Sequence, residues 1–416
     1  MNALPNLALL GAFARHPRRH PTYLGYVNGL FYGFGMGAST ILFPLYAIDQ
    51  GFSLSSQGFI VAAPGIIMIM LRLVGGALSD RFGEKFILWF SFSTVTIASM
   101  VPVFAASFIW LTVAQFFNGA SRSVYWSAAQ SYISRSAEGE AGKVMGRQLA
   151  FESGGGIIGG VVAGFIAGGV GYPEAFLMTA IATFIGFIVT SSLPRLPRKD
   201  QVRSFAASLA PAKTMLVKRT LLHAHMVAFT SAAYIGLVMG LFVAFFREVD
   251  YSEGETALVI RLNSIGVSVL AYFFGMILGR LGSRRTAALG ITITGVLAAG
   301  VGLTGHVPIV PVIFMAITGM TFGSLRSLYP TLAAENSEPN QRAMALSVVG
   351  LYWAIGIFLS PLLFGFLAEQ TSIATSIYIF SGFAIAAGLL SPVLYDFGRR
   401  GLPPEGEEEE APRASS

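Results

Sequence analysis

Gly75-Gly76-Ala77-Leu78-Ser79-Asp80-Arg81-Phe82-Gly83-Glu84-Lys85 is the stretch on which the fold turns. It ends an apolar run that begins near Gln57, precedes another that begins at Phe86, and sets two acids and two bases in its last six residues. So short a loop between two runs that can each cross a bilayer must sit at a membrane surface. Gly76 and Gly83 allow tight turning and close backbone approach there. A second copy follows some two hundred residues later: Gly275-Met276-Ile277-Leu278-Gly279-Arg280-Leu281-Gly282-Ser283-Arg284-Arg285. Gly76 aligns with Gly275, Arg81 with Arg280, Gly83 with Gly282 and Lys85 with Arg284, while Gly279 stands in place of Asp80.

Composition agrees with a membrane location. Of 416 residues, 54% are hydrophobic and 12% charged, and the mean hydropathy is +0.66. An ordinary soluble domain carries about twice that charge. With no cysteine in the chain, disulfides, thiol catalysis and cysteine metal sites are excluded. His223 and His225 are two apart and would not share a helix face, so no metal site is expected. The net charge of +6 reflects where the bases lie along the chain and does not indicate nucleic-acid binding.

A bilayer core about 30 Å thick needs roughly 20 apolar residues per helix. On that measure the chain divides into twelve spans, at about 22–46, 56–79, 86–107, 109–134, 143–169, 173–192, 220–246, 256–279, 286–304, 308–333, 342–368 and 372–395. The expected fold is therefore an all-α membrane protein of two pseudo-symmetric six-helix bundles. Residues 1–192 form the first bundle and 193–219 a basic, proline-containing linker; 220–396 form the second bundle and 397–416 an acidic, disordered tail. Counting loop bases gives the orientation. One set of loops holds Arg15, Arg18, Arg19, Arg81, Lys85, Arg135, Lys143, Arg147, Arg280, Arg284, Arg285, Arg342 and the linker bases, whereas the other set holds Arg247 alone. Both termini are expected to be cytoplasmic, and residues 1–20 read as a retained tail without a signal-peptide cleavage site. On this reading the expected home is a bacterial inner membrane.

The loop pattern Gly76-x-Leu78-x-Asp80-Arg81-x-Gly83-x-Lys85 resembles the signature loop of the major facilitator superfamily, secondary transporters built from two six-helix halves. The weaker copy falls where the second half requires it, and Asn118-Gly119 aligns with Thr318-Gly319 at the same spacing. The resemblance implies alternating access between two related bundles. It further implies a gating set of Gly76, Asp80, Arg81, Gly83, Lys85, Gly275, Arg280, Gly282 and Arg284. Asp80, Arg81, Arg280 and their neighbours would form salt bridges at the cytoplasmic seam that hold the outward-facing state. Asp80→Asn should then lower turnover without preventing folding. The fifth span resembles the glycine ladder G-x8-G-x3-G-P-x2-G of the family's drug and metabolite exporters. Gly146, Gly155 and Gly159 match, Gly160 occupies the proline position and Ala163 the last glycine position. An arginine associated with proton coupling in the family is replaced by Gln115. A second account of this ladder is a small-residue face packed against the eighth helix.

Charges inside the spans mark candidate functional positions, because each costs about 2.5–3.5 kcal/mol on insertion scales. They are Arg72, Arg122, Glu152, Arg261 and Arg326. Arg72 and Arg261 lie near enough to helix ends to snorkel. Gln115, Asn118, Arg122, Tyr125, Trp126 and Gln130 recur at three- and four-residue steps and read as one inward-facing polar stripe. Arg122 and Glu152 are expected at similar depth, either as a static pair or as a proton-coupling site. Arg326 adds positive charge suited to carboxylate or phosphate. Aromatic candidates for the cavity include Tyr32, Tyr234 and Tyr352.

The leading function is proton-linked export of small organic or amphipathic solutes by a monomeric transporter. The alternative is uptake or exchange of an organic anion through Arg122 and Arg326. No phosphate-binding glycine loop, catalytic constellation or large extramembrane domain supports an ATP-driven pump or an enzyme. No cofactor and no nucleic-acid partner are expected; the partners are the solute, the bilayer and protons.

Overall fold

The computed structural model describes residues 20–71, 81–136, 141–196, 212–307, 309–338 and 341–400. Within them the secondary structure is helical throughout, with no strand. The first half comprises α1 (His20–Asp49), α2 (Leu54–Leu71), α3 (Glu84–Phe104), α4 (Phe108–Ser136), α5 (Ala141–Gly169) and α6 (Tyr172–Ser192). The second comprises α7 (Leu222–Met239), α8 (Leu241–Glu248), α9 (Glu253–Thr304), α10 (Val310–Glu335), α11 (Arg342–Gln370) and α12 (Ile373–Arg399). Arg72, Gly75, Gly76 and Asp80 lie outside the described residues, as do the first 19 and last 16 positions.

By length and apolarity, ten candidate membrane spans occur among the described residues. One covers α7 and α8 together, the pair being broken at Gly240. Another is α9, whose 52 residues would reach about 78 Å if straight. It bends at Gly282 (φ 70°, ψ 165°) and supplies two crossings. α4 is excluded from the ten although it is 29 residues long, because Gln115, Asn118, Arg122 and Gln130 dilute its apolarity. With α4, and with α9 crossing twice, the protein has twelve crossings in two six-helix bundles.

The duplication is visible in the packing. α1 against α5 is repeated by α7 against α11, and α2 against α4 by the first limb of α9 against α10. α3 against α6 is repeated by the second limb of α9 against α12. Gly119 lies on the backbone of Pro64, and its counterpart Gly319 on that of Asn263. The hydroxyl pair Ser91–Ser121 (2.7 Å) recurs as Thr294–Thr321 (2.7 Å). Gly83 and Gly282, aligned by sequence, both turn through left-handed φ values of 86° and 70°, a region only glycine enters freely.

Residues 20 and 399 end on one side of the bundle, here called the terminal face; the opposite side is the far face. The two halves are sealed at the far face. There α2 meets α11, with Gly58 on the Pro361 backbone, Gly65 on Phe358 and the Ser55 amide donating to Glu369 Oε2 (2.8 Å). α5 likewise meets α9 through Gly164 on Ala257 and Gly168 on Glu253. One apolar cluster runs across both halves from Ile41 and Phe43 to Phe242 and Ala257. Nearer the terminal face, by contrast, the clusters around Tyr32–Tyr125 and Tyr26–Ile133 contain no residue of the second half. Gly146, Gly154, Gly275 and Gly279 there have open space where a Cβ would point. This arrangement opens toward the terminal face.

Two of the signature-loop bases, Lys85 and Arg284, bond within their own halves. Lys85 Nζ donates to the carbonyls of Ser191 (2.7 Å) and Leu193 (2.6 Å) at the end of α6, where the helix dipole favours a cation. Arg284, its counterpart, pairs with Asp396 in the last turns of α12 (2.8 Å). Arg280 is exposed and makes no hydrogen bond or ion pair among the described residues. Splaying the terminal face separates the loops, and Lys85 and Arg284 bond within their own halves. Ala212–Met215 forms one helical turn, and Ala212 and Met215 pack with Leu221, Ala345 and Val348.

Candidate functional site

The polar stripe of α4 divides among several neighbours. Gln115 and Asn118 serve helix packing: Gln115 Nε2 donates to the Ile60 carbonyl of α2 (3.1 Å), and Asn118 Nδ2 to Gln115 Oε1 (2.8 Å). Asn118, 0% exposed, thus does not line the cavity as its place in the stripe suggested. Gln130 is exposed near the terminal face. Tyr125 stacks on Tyr32 of α1 with ring centroids 3.3 Å apart, and its hydroxyl donates to Asn28 Oδ1 (3.3 Å). Four-residue steps drift around a straight helix, which spreads a long stripe over more than one neighbour.

Arg122 is the central residue of α4 and is half-buried. Its Nε donates to Met36 Sδ on α1 (3.3 Å), a weak acceptor for a full charge. It does not pair with Glu152. The Glu152 carboxylate is half-buried and has no hydrogen bond or ion pair among the described residues. The charge within electrostatic reach of that carboxylate is Arg326, on α10 of the other half. Arg326 is exposed and lies 6.0 Å from the Trp126 ring centroid, within cation–π range. Trp126 and Arg326 thus meet across the seam, with the Glu152 carboxylate within electrostatic reach of Arg326, while Arg122 turns toward α1. The intervening cause is the tight α1–α5 contact, where Gly33 rests on the Glu152 backbone.

Arg261 is the residue whose role the sequence reading placed elsewhere. It does not snorkel. It is 8% exposed and projects from α9 into the first half, donating through Nη2 to the Gly37 carbonyl (3.0 Å) and to Thr40 Oγ1. Its Nε has no partner. The pointer in the sequence was Gly160 at the proline position of the ladder, since Arg261 fills the space beside Gly160.

The ladder itself has two faces. Gly155 and Gly159 rest on the Leu30 and Phe34 backbones of α1, inside the half; Gly160, Gly164 and Gly168 receive α9, across the seam. Gly146 touches nothing, being where the halves diverge. Tyr352 is also not in the cavity. Its hydroxyl donates to the Leu216 carbonyl of the linker (2.9 Å), and its ring stacks on His225 at 4.1 Å.

Comparisons with known proteins agree with this architecture. The chain is 24% identical over 380 residues to Multidrug resistance protein 2 of Bacillus subtilis (strain 168), covering 87% of this chain and 92% of that protein. It is 22% identical over 375 residues to Quinolone resistance protein NorA of Staphylococcus aureus (strain MSSA476), covering 87% and 93%. Among solved structures, the nucleoside transporter NupG superposes with a TM-score of 0.74 at 13% identity, covering 91% of this chain and 98% of that one. A D-xylose–proton symporter superposes with a TM-score of 0.72 at 17% identity, covering 89% and 96%. The family profile matches residues 25–247 and again 224–415, so the chain belongs to the Major Facilitator Superfamily.

Proposed function

We propose that this transporter exports small organic, amphipathic solutes in exchange for protons, as a monomer in a bacterial inner membrane. The observation that carries the reading is Glu152: a carboxylate midway along α5 with no ion pair among the described residues, within electrostatic reach of Arg326 of the other half. Acidic groups in such positions serve as proton-relay sites in pumps and transporters. The two relatives named for drug resistance support the export direction. The loop bases favour a cytoplasmic terminal face, so the opening described above would admit solute from the cytoplasm. Far-face contacts between α2 and α11 and between α5 and α9 would then part during the cycle, while the terminal face closes.

The test is a pH step across liposomes containing the purified protein, with efflux of a fluorescent amphipathic dye as readout. Dye movement should follow the step in the wild type and lose its pH dependence in Glu152→Gln. Retained coupling in that variant would remove Glu152 from the mechanism. A second reading, uptake or exchange of an organic anion, is favoured by the exposed Arg326 and half-buried Arg122. It requires labelled carboxylate to accumulate inward or exchange, and accumulation to fall in Arg122→Ala.

A further inference from the structure

Two guanidinium groups from opposite halves converge on consecutive residues of α1. Arg122 of the first half reaches Met36 Sδ, and Arg261 of the second reaches the Gly37 carbonyl. Among the described residues neither has an acidic partner, and each lies within electrostatic reach of the other. Arg261 is more than nine-tenths buried, and its Nε, packed against Gly160, has no hydrogen-bond partner among the described residues. Nearby acids are otherwise engaged or turned away. Glu253, two turns earlier on α9, pairs with Arg247 (2.8 Å), and Glu152 faces Arg326.

Two like charges at the head of a cavity, without a counter-ion, are costly in low dielectric. An anion bound between them would relieve both. Guanidinium planes match a carboxylate better than a spherical ion, through paired N–H donors. Half-buried Trp126, one turn from Arg122 on α4, offers aromatic surface to the rest of a solute, while Tyr32 and Tyr125 are buried in their own stack.

We infer that the cavity head, between Arg122 and Arg261, is a binding site for the carboxylate of an amphipathic aromatic acid. This rests on the reading of the central cavity as the solute path. Because the two arginines belong to different halves, the bound carboxylate bridges the seam at the point where the halves are sealed. The site therefore makes the sealed state depend on the solute as well as on direct contacts.

The test uses the purified full-length protein with naphthoate and its neutral isostere naphthamide, measured by equilibrium binding and by thermal midpoint. Naphthoate should bind and raise the midpoint, and naphthamide should do neither. Arg122→Gln and Arg261→Gln should each weaken naphthoate binding by roughly tenfold or more, the worth of a charge-assisted hydrogen bond. Arg122→Lys should retain part of it. Should Arg261→Gln fail to fold, Arg122→Gln decides alone, since its side chain has a single weak hydrogen bond to lose. Equal binding of acid and amide, or unchanged naphthoate binding in Arg122→Gln, would overturn the site. The outcome for transport is separable. pH-driven efflux of a cationic dye without naphthoate binding removes the anion site and leaves proton-linked export standing. Arginine-dependent naphthoate binding without pH-driven flux of any solute keeps the site and removes that export reading.

Discussion

Arg261 occupies the space that a side chain at Gly160 would fill. The contact joins the halves, since the same guanidinium also bonds the Gly37 carbonyl and Thr40 hydroxyl of α1. Gly160→Ala must therefore push Arg261 aside in the far-face-sealed state and has no such neighbour once α5 and α9 part. Overpacking of this kind costs about 1–3 kcal/mol, roughly tenfold in the ratio of the two states. Spin labels at Gln50 and Gln370, both exposed at the far face, should show longer distances in Gly160→Ala than in the wild type. An unchanged distance distribution would mean that Arg261 yields without cost.

Glu152 and Arg326 belong to different halves, and their electrostatic contact exists only while the cavity geometry holds it. Arg326→Gln should accordingly alter the pH profile of transport in a wild-type background and leave the profile of Glu152→Gln as it is. Such non-additivity is the mark of two groups acting through each other. Additive effects would mean that Arg326 acts on the solute or the gate independently of Glu152.

Glu84 of the signature loop has a structural role of its own. Glu84 accepts from Arg135 (2.6 Å) and from Ser131 (2.7 Å), tying the start of α3 to the end of α4. Glu84 is nearly inaccessible, whereas Arg135 is a quarter exposed. Glu84→Gln keeps the shape and weakens two charge-assisted bonds, so it should cost about 1–3 kcal/mol of stability. The thermal midpoint in detergent should fall, while the pH dependence of transport per folded molecule stays unchanged. A loss of coupling at an unchanged midpoint would move Glu84 from scaffold to mechanism.

The fold was legible because bilayer thickness dictates helix length, and because duplication leaves pairs such as Gly83 and Gly282 with the same backbone turn. The site was only partly legible. Periodicity places Arg122, Tyr125 and Trp126 on related faces of α4, but it says nothing about which neighbour each side chain meets. Arg122 and Glu152 share a depth in sequence terms, yet Arg122 bonds to Met36 of α1 and Glu152 lies within electrostatic reach of Arg326. Arg261 looked free to snorkel because it lies near the far-face end of α9. Only three dimensions show that Gly160 and Gly37 make room for it inside the protein. Lys85 and Arg284, neighbours of the residues expected to bridge the seam, bond within their own halves, and whether such bases cross it depends on which face is open.

A chain without cysteine allows that conformational question to be put directly. The Ser55 amide and the Glu369 carboxylate, on α2 and α11, are 2.8 Å apart at the sealed far face. Cysteines at these two positions should be joined by a short bis-methanethiosulfonate linker. If the far face must part in every cycle, the linked protein should carry solute at the background rate, and a thiol reductant should restore activity. Each single-cysteine variant treated alike serves as control for modification by itself. Full transport by the cross-linked double variant would mean that α2 and α11 need not separate here, and alternating access through this seam would have to be abandoned.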